Sequence, residues 1–94
     1  MAYKIVIYES KLEKDFASLK NQFSKQVWSR MINFLSADPH KGKKEMQFRK
    51  YNLPNANRIL YQILDKQIVR IVFAGDHNAY ERFLNKYGKK KWKT

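Results

Sequence analysis

Cysteine is absent from the 94 residues, which excludes disulfide frameworks, thiolate metal sites and thiol nucleophiles. The core must hold by packing alone. Acidic residues are scarce: eight Asp and Glu stand against twenty Lys and Arg, giving a formal charge of +12. Two distant His residues and no acidic cluster argue against a metal nuclease. With three Gly and two Pro, the chain has no Gly-rich phosphate loop and no nucleophile elbow. No cofactor and no small-molecule substrate is expected. Apolar runs stay well short of membrane-spanning length, and Met1-Ala-Tyr-Lys-Ile-Val-Ile-Tyr8 offers neither a long enough h-region nor a cleavage pattern. A cytoplasmic protein without membrane contact is the expectation.

What is present is basic charge in blocks, chiefly Lys41 to Lys50 and Lys86 to Lys93. Clustering of that kind favours nucleic acid as the target over an acidic protein or a membrane surface. The length suits one domain over residues 1–94, burying roughly 60 to 65 per cent of its unfolded surface.

Hydrophobic periodicity predicts an α+β domain. Lys4 to Tyr8 reads as a strand. Ser10 and Glu13 have capping-box spacing ahead of a helix striped by Leu12, Phe16, Leu19 and Phe23. Ser24 can cap a second helix carrying Val27, Met31, Phe34 and Leu35, stopped by Asp38-Pro39. The pair should form a helical hairpin over a sheet. After a basic turn, His40 to Lys44, three runs predict an antiparallel meander: Glu45 to Tyr51, Arg58 to Leu64 and Ile68 to Phe73, the last two joined by a tight turn at Asp65-Lys66. Alternation places Ile59, Tyr61, Ile63, Val69, Ile71 and Phe73 under the helices. The other face should collect Gln47, Arg49, Tyr51, Arg58, Gln62 and Arg70 as a half-open groove. A short helix, Ala79 to Tyr87, follows with Asn78 or Asp76 as N-cap, and 89–94 is expected to be a flexible basic tail.

His77 is the leading proton-exchange candidate, because an imidazole titrates near neutrality and this one sits between a strand and a helix. Arg58 opens a strand on the polar side, where its fork could grip a phosphate or instead pair with Asp76 or Asp65. Arg49 invites the same argument. Tyr80 could stack on a base or contact the phosphate, and it could equally be a core residue. Lys43, Lys44, Lys50, Tyr51 and Arg70 are candidate RNA contacts.

From Arg49 to Phe83 the sequence resembles the RelE/ParE superfamily of bacterial and archaeal toxins, especially its RelE- and HigB-like ribonuclease branches. The likeness lies in a strand-opening Arg58, Leu60-Tyr-Gln-Ile63, Asp65 at the hairpin, the apolar run Ile68 to Phe73, and Gly75-x-His-x-x-Tyr80. It implies a RelE-like fold and an mRNA-cleaving toxin that works in the ribosomal A site without metal and is neutralised by a cognate antitoxin. In such enzymes the 2′-hydroxyl of the RNA attacks the adjacent phosphate while the protein positions groups and moves protons. By position, Arg58 matches the arginine on the scissile phosphate, Arg49 matches a basic position, and His77 and Tyr80 match the HigB-like ending. Tyr51 stands where RelE-type members place a second basic residue. The general base stays open between His77, Tyr80 and Lys50. ParE-like members share the fold but poison DNA gyrase, so a gyrase inhibitor or a non-cleaving ribosome blocker is the alternative.

Overall fold

In this computed structural model, residues 2–64 and 67–88 are described. The expected turn at Asp65-Lys66 and the tail Lys89 to Thr94 lie outside them. The chain runs β1 (Lys4–Ile7), α1 (Ser10–Lys20), α2 (Lys25–Ala37), a 3-10 turn (Pro39–Lys41), β2 (Lys43–Glu45), β3 (Phe48–Leu53), β4 (Asn57–Leu64), β5 (Ile68–Asp76) and α3 (His77–Tyr87). The strands form one mixed sheet in the order β1-β5-β4-β3-β2, with β1 parallel to β5 and the other neighbours antiparallel. Among the described residues, no helix is long and apolar enough to cross a membrane.

The α1–α2 hairpin forms where the periodicity placed it. Ser24 caps α2 by accepting a hydrogen bond from the Val27 N–H at 3.2 Å. The capping box at Ser10 does not form: Ser10 is the first helical residue, and the backbone carbonyl of Glu9 accepts from the N–H groups of Leu12 and Glu13. Leu12, Leu19, Met31 and Leu35 are buried against Ile59, Tyr61, Val69 and Ile71. Trp28, outside the expected stripe, joins them, its ring 4.8 Å from that of Phe16.

Three features of the sheet differ from the sequence reading. First, the run from Glu45 to Tyr51 is not one strand. Glu45 pairs with Phe48 across a two-residue turn, Met46-Gln47. Such tight hairpins need left-handed backbone, supplied here by Met46 at φ 58°. The reversal turns part of the expected basic turn into edge strand β2. Second, the pairing between β4 and β5 shifts after Leu60: Leu60 faces Phe73, but Tyr61 faces Ile71, leaving Val72 as the extra residue of a bulge. Alternation therefore breaks, and Phe73 leaves the α1–α2 side for the opposite one. Third, that opposite face is not open throughout. Helix α3 lays Tyr80 and Leu84 on it, closing a second cluster with Phe48, Leu60 and Val72.

The turn between β3 and β4 carries a local cost. Asn55 and Ala56 both have φ 60°, while Asn57 ties the loop by donating from Nδ2 to the carbonyls of Pro54 and Asn55. Asn tolerates this conformation; Ala does not. Ala56→Gly should raise stability by about 0.5 to 1 kcal/mol, after allowing for the greater freedom of Gly in the unfolded chain. Urea unfolding at neutral pH measures it, and a lowered midpoint would show that the Ala56 methyl contributes packing.

Candidate nucleic-acid interface

Cross-strand partners share a face of the sheet, so the register sorts the candidate residues. Lys43 pairs with Lys50, and Lys50 with Leu60, which places both lysines on the α3 face. Asn52 pairs with Arg58, and Arg58 with Gly75, on the same face. Gln62 and Arg70 are also paired there, Arg70 donating from Nη2 to Gln62 Oε1 at 2.6 Å and lying 4.9 Å from the Tyr8 ring. Arg49 pairs with Tyr61 and Lys44 with Arg49, on the α1–α2 face. Tyr51 is on that face too, its ring 5.0 Å from Phe34. The single polar face expected from the sequence is thus divided, because the turn at Met46-Gln47 sets Phe48, rather than Arg49, in phase with Leu60.

The α3 face gathers a compact set around Tyr80. Asp76 is the N-cap of α3, its carboxylate accepting from the Ala79 N–H at 2.9 Å. That bond fixes the first turn and presents His77 at the rim. The exposed imidazole Nε2 lies 2.6 Å from Glu81 Oε1 one turn on, and its ring is 5.8 Å from that of Tyr80. Tyr80 is only 5% exposed. Lys50 Nζ sits 5.5 Å over its ring, so the aromatic face is occupied by the protein and what remains for function is the hydroxyl.

That hydroxyl bonds to Glu45, and Arg58 and Glu81 contribute their charges nearby. Burial first, then the Glu45 charge and hydrogen bond, push the Tyr80 phenol up to about 12. It is therefore a fixed donor near neutral pH, and not a base. Glu45 was missed in the sequence because its partner lies on a distant helix. A signal was nevertheless present: Glu45 is the one acidic residue in the basic block Lys41 to Lys50.

The cross-strand neighbour of Arg58 is Gly75, whose missing side chain admits the Phe73 ring, so close that a Cβ there would come within 2.9 Å of it. Arg58 Nη1 donates to the Asn57 carbonyl at 2.9 Å. Asp76, one suggested ion-pair partner, is engaged as the helix cap instead, and Asp65 lies outside the described residues. Among the described residues, no three His, Asp or Glu come together to hold a metal ion.

A second phenol behaves like Tyr80. Tyr61, fully buried, donates to the Pro39 carbonyl at 2.7 Å, and burial pushes it also to about 12. Both folded values lie above the unfolded value near 10. The stability tied to the neutral phenols is therefore complete below pH 10 and is lost as pH rises towards 12. Absorbance titration at 295 nm should show a late-ionising component from Tyr61 and Tyr80, part of which disappears in Tyr80→Phe. A Tyr80→Phe protein with the same late component would place that phenol in water.

Comparison with known families, with curated proteins and with solved structures finds no match to this chain.

Proposed function

We propose that the protein is a RelE-like endoribonuclease that cuts mRNA on the ribosome without metal, the toxin of a toxin–antitoxin pair. The observation that carries this reading is the gathering, on one face, of His77, the hydrogen-bonded Glu45–Tyr80 pair, and the cations Lys50 and Arg58.

Cleavage by the neighbouring 2′-hydroxyl needs three things. One group takes the hydroxyl proton, another gives a proton to the departing 5′ oxygen, and cations hold the phosphate as its charge grows. The new bond joins the 2′ oxygen to phosphorus and the broken bond is that to the 5′ oxygen, leaving a cyclic phosphate and a 5′ hydroxyl. His77, on its Glu81 hydrogen bond, supplies one proton-exchanging end. Glu45, oriented by the Tyr80 hydroxyl, supplies the other. Arg58 and Lys50 take the phosphate, with Lys43 beside them on the strand pair. The basic surface accounts for attraction to the ribosomal A site, and a cytoplasmic location and a cognate antitoxin that covers this face complete the proposal.

The occupied face of Tyr80 favours a second reading. If the Tyr80 cluster serves packing alone, the basic face would bind RNA and block translation, or bind gyrase as ParE-like toxins do, without cutting. Mapping mRNA 5′ ends after induced expression separates the readings: new ends within coding sequence are expected, and their absence during growth arrest would leave the non-cleaving one.

A further inference from the structure

At the end of the sheet remote from His77, a cleft opens where β3 stops short of β4, bordered by residues of both faces. The last β3–β4 pair is Arg49 with Tyr61, whereas β4 runs on to Leu64. The chain folds back at Met46-Gln47, and the 3-10 turn Pro39–Lys41 is held close by the bond from Tyr61 to the Pro39 carbonyl. The space left is about 580 Å³, lined in part by Tyr3, His40, Lys44, Arg49, Gln62 and Gln67. That is within the range of roughly 300 to 1,000 Å³ in which small ligands are held, and far more than one ion needs.

The cleft is cationic by construction. Arg49 donates from Nη1 to the carbonyls of His40, at 3.0 Å, and Gly42, at 2.9 Å, so its guanidinium is held in place by backbone. Gly42 must stay Gly, since a Cβ there would collide with the Tyr61 hydroxyl. Lys44 is the cross-strand partner of Arg49 on the same face. Among the described residues, no carboxylate forms an ion pair with either cation. Tyr61 stays neutral beside Arg49 at physiological pH and does not compensate it. Two like charges on neighbouring strands, with no carboxylate paired to either among the described residues, favour an anion. The remaining wall suits a planar polar group. Tyr3 and His40 form an edge-to-face pair, 5.9 Å between centroids, with His40 Nε2 3.1 Å from the Tyr3 hydroxyl. Gln67 adds an amide that can both donate and accept, while the Gln62 amide at the margin already accepts from Arg70.

We propose that this cleft is a nucleotide site, remote from His77, that takes a phosphate on Lys44 and Arg49 and a base among Tyr3, His40 and Gln67. The ligand chemistry is a phosphate ester bearing a base, either a free nucleotide or one unit of an RNA chain. The site does not depend on cleavage at the His77 cluster.

Amide NMR titration of the intact protein tests it, with 5′-AMP, inorganic phosphate and a 5′-phosphorylated RNA trinucleotide as probes. With 5′-AMP, shifts should concentrate at Lys44, Arg49, Gln62 and Gln67, and Lys44→Glu should weaken binding at least tenfold. Lys14→Glu, the same charge change on exposed α1, should weaken it less than twofold. Equal loss in both variants would reduce the effect to general attraction and overturn the site. Phosphate alone binding as tightly as 5′-AMP would overturn base recognition. A trinucleotide binding ten times more tightly than 5′-AMP supports the site with an RNA chain as ligand, and equal affinity supports it with a free nucleotide. The His77→Ala protein should bind 5′-AMP as the parent does, and parallel loss would show the cleft and the His77 cluster to be one site.

Discussion

His77→Ala should lower single-turnover cleavage of message on programmed ribosomes by about 10²- to 10⁴-fold, the usual contribution of one positioned proton-transfer group. Ribosome binding should change little, because the basic blocks remain. The variant is a clean probe because His77 belongs to neither core cluster. It stands exposed on the first turn of α3, and the Asp76 cap that starts the helix does not involve its side chain. The interactions lost are the exposed pair with Glu81, of a kind worth at most about 0.5 kcal/mol, and the ring contact with Tyr80 at the surface. Thermal unfolding should therefore stay near that of the parent. Cleavage within threefold of the parent, at unchanged stability, would remove His77 from the chemistry and move the proton-transfer role to Glu45 and Tyr80.

Much of the scaffold was legible because it rests on periodicity. The stripes of α1 and α2, the strand runs of β4 and β5 and the Ser24 cap are local signals, and local physics decides them. What could not be read depends on pairing at a distance. Lys43-Lys44-Glu45 has poor strand composition and becomes a strand because β3 lies alongside it. Met46 takes left-handed backbone without the Gly or Asn that would announce a two-residue hairpin. One bulge residue, Val72, moves Phe73 across the sheet. These same irregularities shape both faces. The hairpin turn sets Lys50 with Tyr80 and sends Arg49 to the other side, so the partition of the basic residues followed from the part of the fold that the sequence left open. His77, Arg58 and Tyr80 were legible as residues. The Glu45–Tyr80 bond that ties them together was not, since nothing local links a three-residue edge strand to the final helix.

Arg58→Ala should reduce the chemical step by about 10²- to 10³-fold, comparable to removing one donor that stabilises charge formed only in the transition state. Arg58 pairs with Gly75, next to the strand end that leads into Asp76 and His77. A phosphate held there would feel its charge within the reach of the α3 rim. Arg58 lowers the tendency of Tyr80 to hold its proton, the mark of a cation acting on the same cluster. Losing it should therefore also raise the late Tyr80 ionisation further. Arg58→Lys should restore part of the rate, because a single ammonium keeps the charge but not the fork that matches two phosphate oxygens. Fold and expression should survive both changes, since Arg58 is half-buried and its backbone bond reaches only the neighbouring Asn57 carbonyl. Growth arrest by Arg58→Ala equal to that of the parent at matched protein level, with 5′ ends still produced at the same rate, would exclude the phosphate role and leave Lys50 as the cation that acts at this face.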